Sequence, residues 1–255
     1  MPVIIKTTEE IELLREGGKR LGEIVRMVAK KVAPGITTRE LDMYTRELIS
    51  AQDGDTPAFL NYTPYGADYP YPAALITSVN SEVVHGIPGD YVLKQGDIIS
   101  LDCGLKHAGL FTDHAITVPV GPISKEATEL LRVTREALYL GIEQARPGNY
   151  TGDIGYAIEQ YVKKFGYGIV RDLSGHGVGR EIHEDPYVPN YGKKGKGELL
   201  KKGMTIAIEP MLNIGKGDVV TLKDGYTIKT TDNSLSAHFE HTVLITDGDP
   251  EILTA

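Results

Sequence analysis

The feature that most constrains this chain is a set of motifs that occurs twice. Four short segments of the first half recur in the same order in the second half. They are APGITTREL at 33–41 with RPGNYTGDI at 146–154, VVHGI at 83–87 with SGHGV at 174–178, KQGDIISLD at 94–102 with KKGMTIAIE at 201–209, and FTDHAITV at 111–118 with HFEHTVLI at 238–245. One such match is weak, but four in one order indicate an internal duplication. We expect a single domain over residues 1–255, with halves near 1–122 and 123–255.

The duplication aligns side chains that can carry chemistry. It pairs three positions of one half with three of the other: Asp102 with Glu209, Asp113 with Glu240, and His85 with His176. The four acids lie in apolar runs, where an unpaired carboxylate is costly or becomes protonated. A lone acid in a strand more often marks an edge or an arginine partner. Few basic residues flank these runs, however, and two divalent cations would balance four carboxylates.

The spacing of the first two acids predicts a hairpin. If the chain reverses at His107 and Ala108, then Asp102 directly opposes Asp113, with Cβ atoms about 5 Å apart. Cys103 then points to the other face and is not a ligand. It is the single cysteine of the chain, which excludes an internal disulfide and a thiolate metal cluster. Oxygen and imidazole ligands remain, and these suit Mn, Fe, Co or Zn.

Helices and strands alternate twice along the chain. Thr7 with Glu10 and Thr37 with Glu40 are capping boxes that predict the starts of two helices. Residues 57–72 are rich in Tyr, Pro and Gly, which indicates an irregular loop lying over another part of the molecule. The other predicted elements are strands at 76–84, 97–103 and 111–118, helices at 124–145 and 151–165, and strands at 203–212, 225–229 and 237–246.

Composition narrows the class of partner. A net charge of −8 and 41% hydrophobic residues argue against a nucleic-acid or anionic-membrane surface and for one sizeable core. The lysines of 193–202 are expected to form a solvated loop. No apolar run reaches membrane length, and the first residues lack the pattern of a secretory signal. We therefore expect a cytoplasmic protein.

Five motifs together resemble a known family. LDCG with Asp102, FTDH with Asp113, SGHGVGREIHEDP with His176, IEPML with Glu209 and SAHFEHT with Glu240 are similar, in order, to type I methionine aminopeptidases. The resemblance runs along nearly the whole chain. It implies an α/β (α+β) pita-bread fold, in which two αβ halves related by a pseudo-twofold surround a central antiparallel sheet.

The resemblance also implies an activity and a metal centre. The expected reaction removes the amino-terminal methionine from nascent proteins and peptides with a small second residue, by attack of water activated by two divalent ions (Co, Mn, Fe or Zn). Asp102 and Asp113 would bind one ion, and Asp113, His176, Glu209 and Glu240 the other, with Asp113 and Glu240 bridging. We further expect a transient ribosome contact, a monomer, and no need for nucleic acid or membrane, although the sequence itself leaves the oligomeric state and the ribosome contact open.

Roles for the remaining site residues follow from the resemblance. Glu209 would transfer protons, His183 would hydrogen-bond the scissile carbonyl, and His85 would contact the peptide beyond its first residue. The expected methionine pocket consists of Tyr71, Ile76, Ile182 and Tyr226, assisted by His85. Ile182 and Tyr226 stand where the family often has phenylalanine and tryptophan. The other histidines, His107, His114, His238 and His241, are assigned outer or structural roles.

Two alternatives stay open from the sequence. A proline-specific peptidase of the same fold usually carries an additional amino-terminal domain, and this chain has about thirty residues before its first Pro-Gly. A binding protein of the same fold that has lost catalysis is the other alternative. The presence of all five expected ligands counts against it.

Overall fold

The computed structural model describes residues 3–64 and 66–255. Its helices are α1 Thr8–Lys31, α2 Thr38–Ser50, α3 Lys125–Ile142 and α4 Thr151–Val162. Its strands are β1 Thr56–Pro57, β2 Leu75–Val79, β3 Glu82–Val84, β4 Ile98–His107, β5 Leu110–Pro119, β6 Gly168–Ile169, β7 Gly175–Gly177, β8 Glu184–Val188, β9 Thr205–Ile208, β10 Met211–Asn213, β11 Val219–Thr221, β12 Ile228–Thr230, β13 Ser236–His238, β14 Glu240–Leu244 and β15 Glu251–Ile252.

The helix starts follow from local sequence. In α1 the Thr7 hydroxyl accepts from the Glu10 backbone N–H at 3.2 Å, and the Glu10 carboxylate accepts from the Thr7 N–H at 2.8 Å. The same reciprocal pair forms between Thr37 and Glu40 at the start of α2. Both predicted capping boxes are confirmed. They satisfy backbone donors that the first helical turn leaves without partners.

The strands form one large antiparallel sheet and two small ones. The large sheet has the order β1-β4-β5-β14-β9-β7-β8, with β2 also pairing with β4 and β15 with β14. The pair α1 and α2 packs on the strands of the first half, and the pair α3 and α4 packs on those of the second. The expected architecture, two αβ halves around a central antiparallel sheet, is confirmed.

Alternation along the strands separates an apolar face from a polar one. Leu101, Cys103 and Leu105 of β4 point into the core beneath α1 and α2. Ile206 and Ile208 of β9 point into the core beneath α3 and α4. Residues between these positions point to the opposite face. Asp102 therefore lies on the face that the helices do not cover.

The predicted register of the β4–β5 hairpin is wrong by two residues. Asp102 pairs with Ala115, and Asp113 pairs with Gly104. The chain turns at Ala108 and Gly109, both with positive φ, +47° and +88°, rather than at His107 and Ala108. A two-residue turn of this kind matches the twist of the flanking strands. Because the shift is two residues, both acids remain on the same face.

Three predicted strands are each divided in two. The predicted strand at 76–84 is interrupted at Asn80, where φ is +56°. The strand at 203–212 is interrupted at Glu209 and Pro210, and the strand at 237–246 at Phe239. The strand expected at 225–229 begins later, as β12. These interruptions matter because two of them lie beside the candidate site.

The predicted irregular loop at 57–72 begins with the end of β1. One of its residues, 65, lies outside the described residues. Phe59 and Tyr71 of this loop are buried and form an apolar cluster with Tyr226. Among the described helices, none is long and apolar enough to cross a bilayer.

Candidate active site

A cavity of about 260 Å³ opens on the uncovered face of the sheet. One part of its wall is charged, and the other is aromatic and aliphatic. Its lining residues are Phe59, Tyr62, Pro64, Tyr71, Ile76, His85, Asp102, Asp113, His176, His183, Glu209, Tyr226 and Glu240. The wall therefore includes all five expected metal ligands and both histidines to which the sequence assigned catalytic roles.

The sheet register places the acids side by side. Ala115 of β5 pairs with Asp102 on one side and with Glu240 on the other, so these residues form a row across three strands. Asp113 lies two residues before Ala115 and so shares its face. His241 pairs with Ile208, which brings Glu240 next to Glu209 at the end of β9. Four separate strand segments thus deliver four carboxylates to one place.

The closest group consists of Asp113, His176 and Glu240. Each offers one ligand atom, and these atoms lie within 4.8 Å of one another. Nε2 of His176 is 3.5 Å from Oε1 of Glu209 and 4.0 Å from Oδ2 of Asp113. Separations of this size are typical of side chains that converge on a cation with ligand bonds near 2 Å.

Burial and mutual repulsion make the carboxylates costly to ionise. Burial raises the pKa of Asp113 to about 7. Burial, together with neighbouring carboxylates, raises the pKa values of Asp102, Glu209 and Glu240 well above their ordinary range. Within residues 3–64 and 66–255, no lysine or arginine forms an ion pair with these acids. A positive charge from outside the chain would lower this cost.

Two oxygens of the site lack hydrogen-bond partners. Oδ1 of Asp102 and Oε1 of Glu240 are buried without a donor among the described residues. Buried polar atoms normally have hydrogen-bond partners, and a bound ion or water is one of the accepted explanations when they do not. Oxygen atoms without donors, arranged around an imidazole, fit a borderline divalent cation such as Mn, Fe, Co or Zn.

His176 presents a neutral ring nitrogen to the acids. Its Nδ1 lies 2.8 Å from the carbonyl oxygen of Gly177, to which it donates. Burial lowers the pKa of His176 to about 3, so the ring is uncharged near neutral pH. With the proton on Nδ1, the lone pair of Nε2 faces Asp113 and Glu209. The flanking backbone is tightly packed, since a Cβ on Gly177 would lie 2.2 Å from the Asp185 carbonyl oxygen.

His183 lies at the edge of the same cavity. Its ring centroid is 4.5 Å from that of His176. Nδ1 of His183 is 3.0 Å from the hydroxyl of Tyr62, a residue of the irregular loop. His85 lines the cavity from the end of β3, with a φ of +60°. Burial lowers the pKa of both His85 and His183 to about 4.

Three of the four expected pocket residues line the cavity directly. They are Tyr71, Ile76 and Tyr226, and the rings of Tyr71 and Tyr226 meet edge to face at 5.2 Å. Ile182 is buried in the same apolar cluster but is not among the described residues that line the cavity. The Tyr226 hydroxyl donates to the Tyr69 carbonyl oxygen, which ties the irregular loop to the turn before β12.

The structure adds residues that the sequence did not single out. Tyr62 and Phe59 belong to the loop at 57–72. The composition of this loop predicted that it lies over another part of the molecule, but did not indicate which residues Tyr62 and Phe59 contact. His238 Nε2 lies 3.6 Å from Glu209 and 3.9 Å from Glu240, beside the acids. Of the other histidines, His114 donates from Nδ1 to the backbone carbonyl of Glu240 at 2.6 Å. His107 bonds to Asp55 at 2.6 Å, and His114 stacks on His241 at 4.6 Å.

Comparison with known proteins agrees with this geometry. Residues 12–247 match metallopeptidase family M24, a class defined by metal-dependent peptide hydrolysis. The chain is 49% identical over 252 residues to a methionine aminopeptidase of Clostridium perfringens, covering 99% of this chain and 98% of that one. The crystal structure of methionine aminopeptidase from Thermotoga maritima superimposes with a TM-score of 0.94, at 45% identity and 99% coverage of each chain.

A more distant structure shares the fold. Prolidase from Pyrococcus furiosus aligns with a TM-score of 0.76 at 27% identity, covering 99% of this chain and 65% of that one. The family match and the sequence identities over the full length show which family the chain belongs to. It belongs to metallopeptidase family M24 and, within it, to the methionine aminopeptidases. Use of a divalent metal for peptide hydrolysis follows from that membership.

Proposed function

We propose that the protein removes the amino-terminal methionine from nascent chains and peptides whose second residue is small. The observation that supports this most strongly is the cavity in which four carboxylates and His176 face an aromatic and aliphatic wall. The charged part suits peptide hydrolysis, and the apolar part suits an unbranched, polarizable side chain such as methionine. The names of the full-length relatives support the same activity.

The metal centre is proposed to hold two divalent ions. Asp102 and Asp113 would bind one, and Asp113, His176, Glu209 and Glu240 the other, with Asp113 and Glu240 bridging. Two ions would balance the four carboxylates, which no lysine or arginine of the described residues neutralises by an ion pair. When bound, such ions lower the pKa of water and polarise the carbonyl that is attacked. Availability would decide among Co, Mn, Fe and Zn.

Glu209 is proposed as the proton carrier. Its carboxylate lies among the other acids, and its backbone carbonyl is held by the Asn190 side chain at 3.0 Å. It would accept a proton from the attacking water and pass it to the leaving amine. This transfer requires a group with an accessible lone pair beside the water, which the position of Glu209 in the cavity wall provides.

His183 is proposed to stabilise the charge on the scissile carbonyl. If the Tyr62 hydroxyl donates to Nδ1, the proton of the neutral ring is on Nε2, which can donate to the carbonyl oxygen. His85 would contact the peptide beyond its first residue. Tyr71, Ile76 and Tyr226 would bind the methionine side chain, and Ile182 would support them from behind.

The proposal also includes the domain organisation, oligomeric state, location and partners of the protein. Residues 1–255 would act as one catalytic domain, as a monomer in the cytoplasm, with a transient ribosome contact and no need for nucleic acid or membrane. The net charge of −8 is consistent with the absence of a nucleic-acid surface.

A paired assay tests the proposed function. Protein stripped of metal and then supplied with Co or Mn should cleave Met-Ala-Ser and leave an X-Pro dipeptide intact. Cleavage of the X-Pro substrate alone would favour a proline-specific enzyme. Failure of every divalent ion to restore cleavage would favour a binding protein.

A further inference from the structure

A buried ion pair ties the turn before His183 to the amino-terminal segment. Nζ of Lys6 lies 2.5 Å from Oε2 of Glu184, and the two side chains are 1% and 2% exposed. Removing two charges from water costs free energy that their attraction only partly returns. A buried pair is therefore weak evidence of a gain in stability, and this one requires another explanation.

Glu184 shapes the turn that presents His183. Its second oxygen, Oε1, accepts from the backbone N–H of Arg180 at 2.5 Å and from that of Glu181 at 2.9 Å. One carboxylate thus closes the turn from inside, and the Lys6 ammonium fixes that carboxylate in place. Glu184 is adjacent to His183 in the chain, so its orientation fixes the backbone from which the His183 ring enters the cavity.

Lys6 is itself held at both ends. Its backbone N–H donates to the Gly203 carbonyl at 2.8 Å. Its side chain passes directly over Gly179, where a Cβ would lie 2.3 Å from Cε and 3.0 Å from Nζ. Gly179 has a φ of +148°, which also favours glycine. The path of the Lys6 side chain therefore depends on the absence of a side chain at position 179.

A second ion pair joins the same two segments on the surface. Nε of Arg180 lies 2.7 Å from Oε1 of Glu10, and these side chains are 49% and 21% exposed. Exposed pairs of this kind contribute little. The molecule therefore contains a matched control for the buried pair.

We propose that Lys6 is a positioning residue that acts through Glu184 to hold the His183 ring at the scissile carbonyl. This inference rests on the proposed role of His183. Catalysis depends on such placement, because an error of about 1 Å can reduce a rate by about 10²-fold. A group that only stabilised the fold would leave kcat unchanged in every variant that still folds.

The test compares Lys6→Met with the double variant Lys6→Met/Glu184→Gln. The double variant leaves no unpaired buried charge and keeps an oxygen for the Arg180 and Glu181 N–H groups, so we expect it to fold even if the single variant does not. We expect kcat for a methionyl tripeptide to fall by about 10-fold or more, with KM and metal content within about twofold of wild type. Arg180→Ala should change kcat by less than about twofold.

A cycle with His183→Ala shows whether Lys6 acts through this histidine. In the His183→Ala background, the double substitution should cause no further loss of kcat. A full additional loss, a wild-type kcat in the double variant, or a parallel loss of metal would each overturn the inference. Retained turnover in His183→Ala would overturn the proposed role of His183 together with it. Turnover lost in His183→Ala but kept in the double variant would overturn this inference alone.

Discussion

The two halves deliver their acids to the site in different ways. In the first half, Asp102 and Asp113 lie inside the β4–β5 hairpin, whose strands pair without interruption. In the second half, Glu209 follows the last residue of β9 and precedes Pro210, and Glu240 is the first residue of β14. An acid inside a ladder is fixed by hydrogen bonds on both sides. An acid at a strand end lacks part of that ladder, and the backbone of Glu209 is held by the Asn190 side chain at 3.0 Å instead.

The paired histidines show the same asymmetry. His176 lies in β7, and its ligand atom is within 4.8 Å of those of Asp113 and Glu240. His85, its counterpart in the predicted duplication, follows β3 with a φ of +60° and lies outside that group. The predicted duplication would account for these equivalent residues, and the local backbone sets how far each reaches.

The largest expected effect is on metal binding and turnover, and it should differ between the two hairpin acids, Asp102 and Asp113. Asp113→Asn should abolish turnover and the binding of both ions, because the proposed bridging carboxylate contacts each of them. Asp102→Asn should weaken the binding of only one of the two ions. Metal content per chain and kcat/KM measure the difference. Asp90→Asn is the matched control, because Asp90 is exposed and forms an ion pair with Arg39 on the surface. Equal metal loss in Asp102→Asn and Asp113→Asn would contradict the bridging assignment.

Glu209→Gln tests the acid at the strand end. Removing the proton acceptor should reduce kcat by about 10²- to 10⁴-fold, while the melting temperature of the metal-free protein stays close to that of wild type. Calorimetry and steady-state kinetics check both statements. Glu198→Gln, an exposed substitution, should leave both quantities unchanged. Near-normal turnover in Glu209→Gln would remove this residue from its proposed role.

The two non-ligand histidines should differ in which kinetic constant they affect. His183→Ala should lower kcat by about 10²-fold, as expected for loss of one donor to the developing oxyanion. His85→Ala should act more on KM for longer peptides, since His85 is proposed to contact residues beyond the first. Kinetics on a methionyl dipeptide and tetrapeptide separate these effects. The proposal is wrong if His85→Ala affects both substrates alike.

Tyr62→Phe should have the smallest effect of this series. It removes one hydrogen bond to Nδ1 of His183, and a loss of about 3- to 10-fold in kcat corresponds to a bond of ordinary strength. Tyr187→Phe is the control, because Tyr187 is 73% exposed. An unchanged kcat in Tyr62→Phe would show that His183 keeps its tautomer without the hydroxyl.

Local signals in the sequence predicted much of the fold. The starts of α1 and α2 were predictable because Thr7 with Glu10, and Thr37 with Glu40, satisfy helix donors only a few residues away. The register of the β4–β5 hairpin was not predictable, because Ala108 takes a left-handed conformation that its residue type does not favour.

The site shows the same division between local and distant information. The four acids could be singled out because carboxylates inside apolar runs, repeated in both halves, are costly without a cation. Their roles and that of His176 as metal ligands rest on the family resemblance and stay predictions. Tyr62 was not assigned a role, because its contact with His183 spans 121 residues and nothing in the loop sequence specifies that partner. Contacts that depend on where two distant segments meet require the packed structure.

The most direct test is anomalous diffraction from crystals soaked in Mn²⁺. The proposed centre predicts two peaks in the cavity, one beside Asp102 and Asp113 and the other beside His176, Glu209 and Glu240. Crystals of the Asp113→Asn variant should show neither peak. A wild-type cavity without peaks, or ions held only by residues outside these five, would contradict the proposal that the two halves converge on a pair of metal ions.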